Sequence, residues 1–298
     1  MNKLEIKIRD VYFKNPFLLA SGVWDIDSGI DTSCYGAVIL KGVNLKGKQG
    51  NPPPRVYEVS CGMINSIGLQ NNGVNEIIKR REDIKKLGTK VFANVFGSDI
   101  EEFGEIVEKL NFLDGFEINV SCPNYEETYF GRSPETVYKI VSLVRKKTDK
   151  LVFVKIIPDT DFFIDVSLNA EEAGADGIVC ANTYRGLVVN IHSRRPVLGG
   201  ITGGISGQAI KPLTMFRVFS LSKKLKIPII ASGGICKWED AIEYILCGAS
   251  LLEIGSAIFK NPFIINEITE NINKFLDFYK INDIIELKGK MEVHNGSK

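Results

Sequence analysis

The chain has 298 residues, 37 Lys and Arg against 36 Asp and Glu for a formal charge of +1, and 44% hydrophobic residues. This is the composition of an ordinary globular chain, and its near-neutrality excludes the cationic surplus that counterion release demands of a nucleic-acid binder. A chain this long buries roughly 75% of its unfolded surface, enough for one domain spanning 1–298.

In chain order, 4–13 reads as a short N-terminal hairpin placed to plug the bottom of a barrel. Short apolar, β-branched runs then recur at 17–20, 37–40, 91–95, 116–120, 151–155, 177–181, 227–231 and 251–254. Stretches with helical spacing separate them at 100–110, 133–147, 162–173, 212–224 and 237–246, with Ser133-Pro134 as N-cap and first turn. Eight strands alternating with helices predict a TIM (β/α)8 barrel. The rival doubly wound sheet lacks its G-x-G-x-x-G after any early strand. The stretch 44–72 carries Gly50-Asn51-Pro52-Pro53-Pro54-Arg55 and Gly62-Met63-Ile64-Asn65-Ser66-Ile67-Gly68-Leu69-Gln70-Asn71, and it reads as a long functional loop inserted over the C-terminal face.

No run approaches the ~18 apolar residues of a membrane span, and the first ten residues alternate charged with apolar, so a cytoplasmic protein without membrane contact is expected. Six cysteines (Cys34, Cys61, Cys122, Cys180, Cys236, Cys247) stand far apart with only His192 and His294 beside them, which argues against a metal site or an iron–sulfur cluster held by this chain.

Polar residues gather where the strands end, the face on which such barrels carry their chemistry. They are Ser21, Lys41-Gly42, Asn94, Asn119 with Ser121-Cys122-Pro123-Asn124, Lys155, Asn182-Thr183, Gly233-Gly234 and Gly255-Ser256. Gly233-Gly234 and Gly255-Ser256, with Thr202-Gly203-Gly204-Ile205-Ser206-Gly207 as a third backbone-rich loop, suit a phosphate held by bare N–H groups, on FMN or on a phosphorylated substrate. Lys155 closes an apolar run, so its ammonium needs an anionic partner or a lowered pKa. A reduced flavin would supply the first; a Schiff-base lyase or aldolase would use the second. Cys122, unlike Cys180 within its apolar strand, sits at a strand end where a thiolate could take a proton, from an ordinary pKa of about 8.5. Asn65, Asn119, Asn124 and Asn182 each both donate and accept, which matches the alternating groups of an imide-like ring.

These motifs, Asn119-Val120-Ser121-Cys122-Pro123-Asn124, Asn65-Ser66-Ile67-Gly68-Leu69, Lys41, Ala181-Asn182-Thr183, the 202–207 segment and Gly255-Ser256, together resemble class 1 dihydroorotate dehydrogenase over nearly the whole chain. The resemblance implies an FMN-containing barrel that oxidises (S)-dihydroorotate to orotate in pyrimidine biosynthesis. It gives Cys122 the C5 proton while a hydride leaves C6 for flavin N5. It puts the four asparagines, with Thr183, around the pyrimidine ring, the segment Ser66, Ile67, Gly68 and Leu69 at the substrate carboxylate, and Lys41 between substrate and flavin. Lys155 would balance charge near flavin N1 and O2, and Ser21, Gly42, Asn94, Asn119, Ala181, Gly207, Gly233, Gly234, Gly255 and Ser256 would complete the FMN site. The 62–71 and 130–134 segments look like the NAD-linked subclass 1B rather than the fumarate-linked 1A. That implies a partner subunit carrying FAD and a [2Fe–2S] cluster, in a heterotetramer of two catalytic and two electron-transfer chains. One departure is that the 125–131 loop is shorter than in the subclass and lacks its paired glycines.

Overall fold

β-Branched and aromatic side chains dominate the eight apolar runs, and they are buried along nearly all their length, as parallel strands covered on both faces require. In the computed structural model, which describes residues 3–121, 130–158 and 160–292, they form β1 (Phe17–Leu19), β2 (Ala37–Val43), β3 (Lys90–Val95), β4 (Gly115–Asn119), β5 (Leu151–Lys155), β6 (Gly177–Cys180), β7 (Ile229–Ser232) and β8 (Leu251–Ile254). Each strand pairs in parallel with the next and β8 pairs with β1, so the sheet closes in chain order. The TIM-barrel expectation holds. β2 runs further than expected, carrying Lys41 and Gly42 within the strand, and β7 starts later because Pro228 has no N–H to give the ladder.

The outer ring contains α1 (Ile100–Lys109), α2 (Pro134–Lys147), α3 (Phe163–Glu172), α4 (Lys211–Ser222), α5 (Trp238–Leu246) and α6 (Ile264–Phe278). Their starts follow the sequence: Asp99 accepts from the Glu102 N–H to cap α1, and Ser133 accepts from the Thr136 N–H to cap α2, with Pro134 in the first turn. At the bottom, the strands Ile6–Ile8 and Val11–Phe13 form the expected antiparallel hairpin. Its Phe13 ring lies 6.2 Å from Phe92, which stacks on Phe153 at 5.2 Å. This aromatic layer fills the lower barrel and leaves the upper layer to the polar residues.

One part of the fold departs from the sequence reading. The long insertion after β2 is not a loop throughout: Val56–Val59 and Gly62–Asn65 form a hairpin. Gly62–Asn65 pairs with Gly203–Ser206 from the insertion after β6, which pairs in turn with Tyr184–Gly186. The segment expected as a third phosphate loop is therefore mostly a strand of a four-stranded sheet built from the two insertions, called the lid sheet below. Its glycines serve close packing, since a Cβ on Gly204 would stand 1.9 Å from Thr183 Oγ1.

Candidate active site

The C-terminal ends of the barrel strands open into a cleft of about 470 Å³, within the range of small-molecule sites. Lys155, at the end of β5, is buried and its Nζ donates to Glu253 Oε2 at 2.8 Å and Glu117 Oε1 at 3.2 Å. β5 and β8 are three strands apart, so the contact with Glu253 crosses the barrel interior. Burial alone would depress the ammonium, but the charges of Glu117 and Glu253 and their hydrogen bonds outweigh it and hold Lys155 above its usual range. Lys155 thus has its anionic partner within the chain. This corrects the lyase alternative, because a Schiff-base lysine must be neutral to attack and this one is held charged.

The two carboxyls diverge. Burial, then the Glu253 charge, pushes Glu117 well above the usual carboxylate range. Burial acts on Glu253 in the same direction, but the Lys155 charge and hydrogen bonds with Glu117, Lys155 and Ser232 prevail and hold it below that range.

From Glu117 a chain of hydrogen bonds runs out to the cleft. Asn94 Nδ2 donates to Glu117 Oε1 at 2.5 Å, and Asn119 Nδ2 donates to Asn94 Oδ1 at 3.3 Å. Ser121 Oγ donates to Asn119 Oδ1 at 2.8 Å and accepts from Asn182 Nδ2 at 2.8 Å. Asn182 Oδ1 then accepts the Thr183 N–H at 2.7 Å. Residues from β3, β4 and the segments after β4 and β6 are joined in one network.

Around the cleft stand Ser21, Lys41 and Gly42 on one side and Ala181, Gly233, Gly234, Gly255 and Ser256 on the other, with Gly207 arriving from the lid sheet. The glycines are not equivalent. A Cβ on Gly234 would stand 2.7 Å from Lys211 Cβ, so α4 packs against that turn. At Gly255 the nearest atom to an added Cβ would be Ala20 Cβ at 4.0 Å, and the bare backbone faces open space. The turn after β7 is braced from behind: Tyr244 Oη donates to Gly233 O at 2.6 Å, and Asp240 accepts the Cys236 N–H at 2.9 Å while pairing with Lys211 at 2.6 Å. Bare backbone above a buried cation can hold a flat phosphorylated ligand.

The lid sheet supplies Asn65, whose Nδ2 donates to Gly204 O at 3.3 Å, and then Ile67, Gly68 and Leu69 along the cleft. Gly68 has φ +74° and its missing Cβ would meet Asn51 N at 2.5 Å, so only glycine fits. Leu69 follows at φ 57°, a left-handed conformation of the kind that clusters at ligand clamps. Ser66 does not line the cleft; it is buried with its Oγ accepting from Asn51 Nδ2 at 2.7 Å. Cys122, Asn124 and most of the 125–131 loop lie outside the described residues.

A family model described as dihydroorotate dehydrogenase matches residues 3–276. The chain belongs to the dihydroorotate dehydrogenase family. It is 38% identical over 299 residues to the dihydroorotate dehydrogenase B (NAD(+)) catalytic subunit of Thermoanaerobacter sp. (strain X514), covering 97% of this chain and 99% of that one. It is 39% identical to the protein of the same name from Caldicellulosiruptor saccharolyticus, over 97% of this chain and 99% of the relative. A crystal structure of DHODH from Eimeria tenella in complex with ferulenol superposes with a TM-score of 0.83 at 24% identity, covering 97% of this chain and 89% of that one, and so shares its fold.

Beneath the cleft of this dihydroorotate dehydrogenase family member, sequence reasoning missed Glu117 and Glu253. The signal was present: each is an ionisable residue inside an otherwise apolar strand, Gly115–Asn119 and Leu251–Ile254, and a buried charge demands a partner. Lys155 shows the same signal more plainly because it ends its run instead of standing inside it. Ser206, Ser232 and Cys236 also line the cleft and carried no such signal.

Proposed function

We propose that this chain oxidises (S)-dihydroorotate to orotate in de novo pyrimidine biosynthesis, on FMN held in the cleft, and passes the electrons through a partner subunit to NAD in the cytoplasm. The observation that carries the reading is a charged, buried Lys155 beneath a cleft edged by bare backbone, in a chain whose full-length relatives are named NAD-linked catalytic subunits.

The residues fit FMN. The open space at Gly255 admits a group that any Cβ there would meet, and the braced turn at Gly233 and Gly234 offers backbone N–H donors suited to a phosphate. Ser21, Gly42, Asn94, Asn119, Ala181, Gly207 and Ser256 complete that side, and Lys155 offers fixed positive charge. FMN, when bound, supplies the hydride acceptor.

For the substrate, Asn65, Asn119 and Asn182, with Thr183, present amide and hydroxyl groups that match the N–H and C=O edge of a dihydropyrimidine, and Asn124 completes the set. The backbone at Ile67, Gly68 and Leu69, with neighbouring Ser66 fixed by Asn51, receives the carboxylate, and Lys41 adds positive charge between substrate and cofactor. Cys122 removes the C5 proton as general base. Its neighbour Ser121 is fixed by Asn119, which orients the chain entering that position.

The scattered cysteines of this chain support a relay carried elsewhere, on an electron-transfer subunit with FAD and a [2Fe–2S] cluster, two copies of each chain forming a heterotetramer. The purified chain, reduced anaerobically with dihydroorotate, should be reoxidised by NAD only when that iron–sulfur flavoprotein is added. Rapid reoxidation of the single chain by NAD, or by fumarate, would overturn this electron path.

A further inference from the structure

Among the groups beneath the cleft, Glu117 and Glu253 have no part in the proposed chemistry, yet they are fully buried at its centre. Glu117 Oε1 accepts from Lys155 and Asn94, and Glu253 Oε2 accepts from Lys155, with Ser232 its partner in register on β7. The other two oxygens, Glu117 Oε2 and Glu253 Oε1, are buried with no donor. Two orphan acceptors on carboxyls that share one ammonium, at 3.2 and 2.8 Å from Lys155 Nζ, are each costly, and a single proton between them would satisfy both. One proton also leaves Lys155, Glu117 and Glu253 without net charge, where full ionisation would bury an uncompensated negative charge. Lys155, Asn94 and Ser232 are the other polar groups facing the pair from the strands around it.

We propose that Glu117 and Glu253 share one proton, carried by Glu117, and that Glu117 is thereby a positioning residue fixing the donor and acceptor faces of the asparagine array over which the substrate ring lies. The hydrogen bonds all run one way. Asn94 must turn its amide nitrogen to Glu117 Oε1, so its oxygen meets Asn119. Asn119 must then give its nitrogen to Asn94 and its oxygen to Ser121, and the Ser121 hydroxyl, its proton committed, can only accept from Asn182. Backbone donors hold the far amides, the Ser121 N–H on Asn119 Oδ1 and the Thr183 N–H on Asn182 Oδ1, and the acceptor-only Glu117 Oε1 holds Asn94 at the buried end, so the chain keeps a single polarity. The direction in which Glu117 is pushed, mainly by burial and then by Glu253, agrees with a retained proton.

The positioning role rests on the function proposed above; the shared proton does not. The test uses the flavoprotein as purified. Infrared difference spectra at neutral pH should show one buried protonated carboxyl band, absent from Glu117→Gln. In that variant an amide N–H takes the place of the shared proton and Oε1 still accepts. Orotate affinity, read from its perturbation of the flavin spectrum, should stay within about threefold of wild type in Glu117→Gln and fall at least about tenfold in Glu117→Ala, a loss the size of one buried amide left without its acceptor. Absence of a band that Glu117→Gln removes would overturn the shared proton, including where Glu117→Ala fails to fold. Unchanged orotate affinity in Glu117→Ala, or loss of affinity in a folded Glu117→Gln, would overturn the positioning role. If orotate leaves the wild-type flavin untouched, the substrate assignment fails together with the positioning role, and the band still decides the proton.

Discussion

Lys155 pairs two carboxyls that approach it from different strands, and none of the three groups can reach water instead. Removing the cation strands a buried Glu253, so Lys155→Met should cost about 3 to 5 kcal/mol in urea unfolding of the flavin-free protein; a loss under 1 kcal/mol would mean that the cluster is not held by this charge. Stability should also depend on pH through Glu117. Its folded carboxyl lies above the unfolded value, so its contribution is present at and below the ordinary range near about 4.3 and is lost as pH climbs, by up to about 1.4 kcal/mol per unit. Glu253 has the opposite sign, its contribution being lost as pH falls below that range. Glu117→Gln cannot titrate, so wild type should lose stability relative to that variant as pH rises above the ordinary carboxylate range; parallel curves would refute the assignment. At this scale Lys155 and the asparagines were legible because a polar residue ending an apolar run is conspicuous. Glu117 and Glu253 stand inside their runs, and their partnership through Lys155 depends on the barrel closing so that β4 and β5 meet β8 across its interior.

Elements were legible where their signals are local. Ser133-Pro134 marks the start of α2 and the eight apolar runs mark the strands to within a few residues. The lid sheet was not legible, because its central pairing, Asn65 opposite Gly204, joins residues 139 apart and belongs to neither insertion alone. Short glycine-rich strands with half-exposed burial patterns carry little periodicity of their own. The turn after β8 gives a sharp test. Gly255 has room for a methyl group on the protein side, but its φ −104° and ψ −120° fall outside the regions open to L-residues, so Gly255→Ala should fold with a loss of about 1 to 3 kcal/mol. The added Cβ enters the cleft, so the purified variant should carry little flavin. A variant yellow with full flavin content would show that the cofactor does not approach this backbone.

At the scale of the whole molecule, the barrel divides its interior into two jobs. The hairpin and the stacked Phe92 and Phe153 rings close the bottom, and the polar layer of Asn94, Glu117, Lys155 and Glu253 forms a floor that stays dry and charged beneath the cleft. The near-neutral composition accords with such an enzyme of small molecules, and no helix among the described residues is long and apolar enough to cross a membrane. What remains is whether the cleft performs the reaction that its residues and relatives indicate, with Cys122 taking the proton. Anaerobic stopped-flow mixing with dihydroorotate measures this in one step. Wild type should bleach its flavin, and Cys122→Ala should retain FMN but lose bleaching by several orders of magnitude, in keeping with removal of a general base. Bleaching of Cys122→Ala at near wild-type rate, or no bleaching of wild type, would contradict the account.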